Sequence, residues 1–550
     1  MHLRCGTERA GGRSWGSTAN GGGEMRSAMR RSRGVRVLGG VLAVLGGLVL
    51  ASPAAITSAG NDERERPEPF TIVVLPDTQK YTVSDELAQS LNAQTQWIVD
   101  TREQLNTKFV IQVGDLVDSW PDVHQWERAS RAMAILDDAG VPSSVLPGNH
   151  DLDVTTGESS TYDEYFPPSR YADASWNSPT VSYGGYLGQD QFGQDGIDRQ
   201  NKDNYSLLTV GDTKLLLLSL EYETPAYALE WAQRVIDAHP DRTVILAVHG
   251  LITTGGARST ATERTDVTPV TEVDLWRDFI SQNCSIAMVV NGHWAVGDAG
   301  EARRSDLNAC GRPVPQILSN YQGRANGGDG WLRYYTVDPA AGTVDAHTYS
   351  PTLRQYEKDD DGRFTLPLDL TPTDDRVLLR GGSDWKVWNE LGAWPRGWKS
   401  AAFDDDDWQT GTAPLGWGKG VQTPIDLGPP PENRARAMLF RKTVELDDVE
   451  ELSTVTVSTR ADDGVAVWVN GALIGTSHLA SKKPTSETFA DVGRSTDNAT
   501  DDPVTFTVPR GLLHDGENVV AASVHVNYLG TNSSTFDLVM TGRRSSSDGE

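Results

Sequence analysis

Five short apolar runs, each breaking off at a polar residue, constrain this 550-residue chain more than any other feature. FTIVVL ends in Pro76-Asp77-Thr78-Gln79, and KFVIQV ends in Gly114-Asp115-Leu116-Val117-Asp118. SSVLP ends in Gly148-Asn149-His150, TVILAV in His249-Gly250, and IAMVV in Asn291-Gly292-His293. Runs this short and this rich in Val, Ile and Leu read as buried strands. Amphipathic stretches with helical spacing, such as 86–103 and 124–139, lie between several of them. The result is an α/β pattern from Phe70 to about Pro351, closed by a hairpin of WLRYYTVD and TVDAHTYS.

Side chains at the strand ends of an open α/β sheet face the crevice where ligands bind. Glycine beside most of these residues lets backbone and ligand approach closely. The donors are carboxylate, amide oxygen and imidazole, without thiolate. That set suits Mn, Fe or Zn in an open site rather than a closed structural zinc. Singly, each residue has a plainer reading: His249 as a core histidine, Asp115 and Asp118 as a turn or helix cap, Asn149 as a turn residue. It is the ordered set that argues for a metal centre.

GDLVD, GNHD, the strand ending in His249-Gly250 and NGH together resemble the calcineurin-like metallophosphoesterases, with PDTQ as a variant of their Asp-x-His opening. The resemblance implies an α/β metallophosphoesterase sandwich, mixed sheets flanked by helices. It implies two divalent metals, Mn, Fe or Zn. Asp115 would bridge them, with Asn149, His249 and His293 completing one site and Asp77 and Gln79 belonging to the other. His150 would face the scissile phosphate and protonate the leaving oxygen, with Asp118 orienting it. The implied reaction is hydrolysis of phosphate mono- or diesters by a metal-activated water. Two cations about 4 Å apart can clamp a phosphate in this way, and a histidine can supply the leaving group's proton.

Two positions depart from the family pattern, and both fall on one metal site. Gln79 stands where the family commonly has His, and Gly292-His293-Trp294-Ala295 lacks the second His of Gly-His-x-His. Gln still offers an amide oxygen to a hard cation, whereas Ala offers nothing. Asp298 or water is left to fill the gap. The Asp77/Gln79 site is therefore expected to be the weaker one, favouring Mn or Ca, or to be dispensable in a one-metal enzyme. The rival reading is a catalytically weakened binding or adhesion protein of the cell envelope that keeps the phosphoesterase fold. Retention of His150 and Asp118 argues for the enzyme. Asn204, Tyr205, Arg303, Arg304 and Tyr321 are softer candidates for pocket lining or phosphate contact, each with a structural or surface alternative.

Residues 1–59 read as a leader. Arg30, Arg31, Arg33 and Arg36 precede a short apolar run from Leu38 to Leu50 and then small residues, which marks a secretory signal peptide with its start at Met25 or Met29. The run is too short to span a bilayer. A secreted or envelope-associated protein with no transmembrane segment after cleavage is expected. The net charge of −27 argues against a nucleic-acid scaffold role or binding to anionic membranes. Cys284 and Cys310, the cysteines beyond the leader, suit one disulfide or two buried thiols.

The expected phosphoesterase domain spans 66–352. Within it, 152–203 is rich in Gly, Asp, Ser and Tyr and reads as a loop insertion near the site. A linker is expected at 353–376, an all-β domain at 377–541 and a disordered tail at 542–550. Alternating runs such as STVTVST and GVAVWVNG suggest a jelly-roll-like sandwich. The segment resembles galactose-binding-like modules of exported hydrolases, which implies a glycan or cell-envelope ligand. Trp385, Trp388, Trp394, Trp398, Trp408, Trp417 and Trp468 fit core packing better than sugar stacking. Asp404–Asp407 and Asp462–Asp463 read as solvated turns, with calcium as the alternative.

Overall fold

Alternation along the strands decides the layers. All six residues of Phe70–Leu75 are buried. Ile72 and Val74 enter one core while Val73 and Leu75 enter another, because successive strand side chains point to opposite faces. A strand buried on both faces must be covered on both. The computed structural model, which describes residues 68–188, 192–193, 196–426 and 431–544, shows how. The leader, with its signal peptide and candidate starts, and the last six residues lie outside the described residues.

Two seven-stranded sheets pack face to face. In the first, Phe70–Leu75, Thr107–Gln112 and Ser143–Val145 run parallel. Leu332–Asp338 and Thr343–Ser350 join antiparallel on the other side of Phe70–Leu75. In the second, Thr213–Leu220, Thr243–Val248, Ile286–Asn291 and Pro313–Ser319 are parallel neighbours in that order. Phe109, Ile111, Leu217, Ile245, Val290 and Ile317 meet between the sheets. Helices Ala88–Thr101 and Val123–Asp138 cover the first sheet, and Ala226–Asp237 covers the second. This is the α/β sandwich expected, followed by a β-rich region.

Residues 152–203 are more ordered than their composition suggests. They carry helices Ser160–Tyr165 and Pro168–Ala172 and the strand Val181–Tyr186, which edges the second sheet. Tyr162 packs edge-on and Phe166 tilted against Trp126, with centroids 6.0 and 6.2 Å away. Aromatic burial, invisible to periodicity over such short elements, organises this segment. Residues 353–376 are likewise not a plain linker. Arg363–Pro367 pairs with Thr343–Ser350, and Leu368 is buried in the intersheet core. Asp375–Leu379 already pairs with Leu538–Arg544 of the second region. Cys284 and Cys310 form a disulfide. No helix among the described residues is long and apolar enough to cross a membrane.

The second region is a β-sandwich built on sheets of four and six strands. Its longest pair, Ala437–Leu446 with Gly516–His525, is antiparallel over ten residues each. Trp385, Trp398, Trp408 and Trp468 are buried in its cores, so packing accounts for them. Asp405 pairs with Arg441 at 2.7 Å.

His525 gives this region a predicted acid sensitivity. The ring is fully buried, donates from Nδ1 to the Thr488 carbonyl (2.9 Å) and accepts at Nε2 from Ser523 Oγ (2.8 Å). Burial lowers its pKa to about 4. The folded ring is therefore neutral, while the unfolded chain takes a proton near pH ~6.5. The stability it contributes is present above that pH and is lost as pH falls toward 4, by about 3 kcal/mol. Urea midpoints compared at neutral pH and near pH ~4.5 should diverge in the wild type and much less in His525→Gln.

Candidate metal centre

Every expected ligand turn lies where a parallel strand ends. Asp77 follows Phe70–Leu75, Asp115 follows Thr107–Gln112, and Asn149 follows Ser143–Val145. His249 and His293 follow Thr243–Val248 and Ile286–Asn291. The two sheets present these ends on the same edge, and the side chains converge. Ligand atoms of Asp77, Asp115 and His249 lie within 4.8 Å of one another, all buried. Asn149 Oδ1 is 3.1 Å from His249 Nε2 and 3.0 Å from His293 Nδ1.

Close approach requires glycine at two of these turns. A Cβ on Gly148 would stand 2.2 Å from Asp115 Oδ1, and one on Gly292 would stand 2.1 Å from Asp77 Oδ1. The backbone of Asp115 is left-handed (φ 55°), as is that of His293 (φ 69°). Non-glycine residues pay roughly 1 kcal/mol for this, so something must hold them. For Asp115 it is the buried Asp151, whose carboxylate accepts from Leu116 N (3.0 Å), Val117 N (3.0 Å) and Gly148 N (2.8 Å). Burial, then the Asp115 charge, push Asp151 up to about 7 against those three donors. For His293 it is Asp77, whose carboxylate accepts the His293 backbone N–H at 3.1 and 3.2 Å.

Second partners fix each donor's direction. His249 Nδ1 donates to the Val113 carbonyl at 2.8 Å, which leaves Nε2 as the ligating nitrogen. Asn320 Nδ2 donates to Asp77 Oδ2 (2.8 Å) and to the His293 carbonyl (3.0 Å). Gln79 Nε2 donates to Gln322 Oε1. Gln79 Oε1, in contrast, is buried without a hydrogen-bond partner. A buried acceptor left unmet is costly, and a cation beside Asp77 would meet it. The residues present thus fit divalent metal.

The electrostatics agree. Burial opposes charge on His249, but the Asp115 and Asp77 carboxylates outweigh it and raise the ring to about 10. Burial raises Asp77 well above the usual carboxylate range, with His249 pulling it back. Burial and the His249 charge lower His293 to about 3. Two carboxylates and an imidazole thus retain a proton in the place a cation would take.

His150 stands at the open side, half-buried. Its backbone N–H reaches Asp115 Oδ1 (3.0 Å), and its Nδ1 donates to a carbonyl, that of Asp118, at 2.8 Å. Here the expectation for Asp118 needs revision. Asp118 orients His150 through its main chain, and its carboxylate pairs with Lys80 instead. Asp298, a candidate for the gap left by Ala295, is exposed and lies outside the ligand group. Asn320 and Gln322 furnish that side of the site. Arg303 pairs with Asp361, and Arg304 with Asp306. Asn204 Nδ2 is spent on the carbonyls of Val145 and Asn201. Tyr205 packs on Trp231, and Tyr321 donates to Glu301. None of these five joins the centre.

Asp151, Asn320 and Gln322 were not singled out from the sequence. Asp151 closes GNHD, and Asn320 ends the strand Pro313–Ser319 as the other ligands end theirs. The signal was there, but the prolines of PVPQILS hide the strand.

Residues 70–297 match the profile of the calcineurin-like phosphoesterase family. The matched stretch contains all five ligand turns, from Asp77 to His293, and supports a metal-dependent phosphoesterase. The uncharacterized protein YvnB of Bacillus subtilis (strain 168) is 31% identical over 311 residues, covering 55% of this chain and 22% of YvnB. The chain thus spans about a fifth of that relative's length. Among solved structures, a dimetal phosphatase from Danio rerio aligns with a TM-score of 0.32 and 11% identity, over 55% of this chain and 99% of its own. The purple acid phosphatase PPD1 from yellow lupin (Lupinus luteus) aligns with a TM-score of 0.35 and 13% identity, over 55% of each chain.

Proposed function

We propose that the chain is an exported hydrolase of phosphate mono- or diesters in which His150 delivers the leaving group's proton. The carrying observation is the convergence of His249 Nε2 and His293 Nδ1 on Asn149 Oδ1, beside the buried Asp77–Asp115 pair. Divalent cations held there would supply Lewis-acid charge against phosphoryl oxygens and make water more acidic. Asp115, Asn149, His249 and His293 would hold one cation. Asp77, Asp115 and Gln79, with its unmet Oε1, would hold a second, weaker one. Mn suits this mixture of oxygen and nitrogen donors. With Nδ1 committed to the Asp118 carbonyl, His150 exchanges its proton at Nε2.

Export rests on the leader, and a glycan or envelope ligand for the β-sandwich rests on its resemblance to galactose-binding-like modules. Against a panel of phosphomonoesters and diesters with added Mn, His150→Ala should lower kcat by about 10²–10⁴-fold while retaining the metal content of the wild type. Equal rates for the two proteins would remove His150 from the mechanism and favour a binding role for the domain.

A further inference from the structure

The peptide group that His150 leans on is engaged at both ends. Its carbonyl, from Asp118, accepts from His150 Nδ1 at 2.8 Å. Its N–H, from Ser119, donates to Gln125 Oε1 at 3.1 Å. The same oxygen accepts from Asp118 N at 2.7 Å. Gln125 stands in the first turn of the helix Val123–Asp138 and is buried. Its Nε2 lies 3.3 Å from Asp122 Oδ2. With two N–H donors on one side and a carboxylate on the other, the amide has one orientation, oxygen toward the peptide.

Four consecutive backbone N–H groups are thus received by two buried side chains. Leu116 N and Val117 N go to Asp151, and Asp118 N and Ser119 N go to Gln125. Asp151 holds the left-handed turn at Asp115. Gln125 sits across the peptide from His150. The two hydrogen bonds on that peptide reinforce each other, because an acceptor at the N–H draws charge toward the carbonyl, which then accepts more strongly. They also set its plane, since turning the peptide would break both. The Asp118 carboxylate does not hold the imidazole, because it pairs with Lys80. Thr82 Oγ1 is 3.4 Å from Gln125 Oε1, but its single proton has a nearer acceptor in the Gln79 carbonyl at 2.8 Å.

We infer that Gln125 is a positioning residue for His150, acting through the Asp118–Ser119 peptide, a role that rests on His150 being the leaving group's proton donor. The chain runs from Gln125 Oε1 to the Ser119 N–H, through the peptide to the Asp118 carbonyl, and on to His150 Nδ1. It fixes the ring's tautomer and direction, so that Nε2 is the nitrogen presented to the leaving oxygen. A side chain that never touches substrate thereby sets the geometry of proton transfer.

Gln125→Met removes the acceptor and keeps the bulk. In the full chain with Mn, acting on a phosphate ester of a simple alcohol, it should lower kcat about tenfold, the worth of one neutral hydrogen bond. KM and bound metal should stay at wild-type values. With a nitrophenyl ester, whose leaving group needs little protonation, the loss should shrink to about twofold or less. In a His150→Ala background, Gln125→Met should cost nothing further, because both act on one step. Gln125→Glu with Asp122→Asn puts an acceptor oxygen back and should recover most of the loss. Should Gln125→Met fail to fold, Gln125→Asn, which withdraws the acceptor by one methylene, is read in the same way. Equal losses on both esters, or a loss that adds to that of His150→Ala, would mark a merely structural glutamine and overturn the relay. If His150→Ala is slow and Gln125→Met is as fast as wild type, the relay alone falls. If His150→Ala itself keeps the wild-type rate, the proton-donor reading falls and takes the relay with it.

Discussion

Asp115→Asn is expected to lower phosphoesterase turnover at least about a thousandfold, equivalent to ~4 kcal/mol of transition-state stabilisation, and to strip metal from the protein on dialysis. Asp115 is the hub of the centre. Its Oδ1 lies 3.3 Å from His249 Nε2 and accepts the His150 backbone N–H at 3.0 Å. Its carboxylate and its neighbours' ligand atoms fall within 4.8 Å of each other. The substitution is nearly isosteric, so the fold persists, and the buried turn stays pinned by Asp151. What changes is charge. One carboxylate is lost from a site that must neutralise cations, and an amide N–H₂ can point at the place a cation would occupy. Metal analysis beside a rate assay gives the result. The contrast with His150→Ala is informative, since that variant should keep its metal and lose only rate. Wild-type metal content and wild-type rate in Asp115→Asn would remove it from the centre.

Glu221→Ala should be the most destabilising of the changes discussed, by about 3 kcal/mol or more. Glu221 is fully buried between two guanidinium groups, Arg199 at 2.5 Å and Arg264 at 2.7 Å. Burial opposes its charge, but Arg199 and Arg264 hold its carboxyl down at about 2. Arg264 keeps Asp266 as a second partner at 2.7 Å, whereas Arg199 loses its ion-pair partner and becomes a largely buried, unpaired cation. The consequence reaches the site, because Arg264, which Glu221 holds, also donates to the Tyr222 carbonyl at 2.9 Å, and the Tyr222 ring lies 5.0 Å from His293. Trp294, on the other flank of His293, is fixed by its Nε1 donating to Glu272 at 2.6 Å. Denaturant midpoints should fall in Glu221→Ala, and activity should be lost at a lower temperature than in the wild type. An unchanged midpoint would show that the pair contributes no net stability, as some buried pairs do not.

Much of the centre could be read from the chain because its logic is local. A buried strand needs a run of Val, Ile and Leu, and a ligand at its end needs a polar residue at the next turn. Asp77, Asp115, Asn149, His249 and His293 each carry both signals within a few residues. The α/β order follows from the same runs, as does the alternation that marks the second region as β. Residues 152–203 and 353–376 misled for the opposite reason. Their elements are short and held by distant partners: Tyr162 and Phe166 by Trp126, and Arg363–Pro367 by the edge of the first sheet. Local composition says little about such pieces.

The sequence by itself determined which donors exist, their order, and their place at strand ends, since strand periodicity and turn chemistry act over a handful of residues. Only the tertiary structure decided which groups complete the site. Asn320 meets Asp77, and Gln322 meets Gln79, each across 243 residues, and no local pattern reports a contact at that range. It also decided that His150 leans on the Asp118 main chain rather than its carboxylate. Every residue carries a backbone carbonyl, so that partner leaves no mark on residue identity, and the geometry of two sheets sharing one edge selects it.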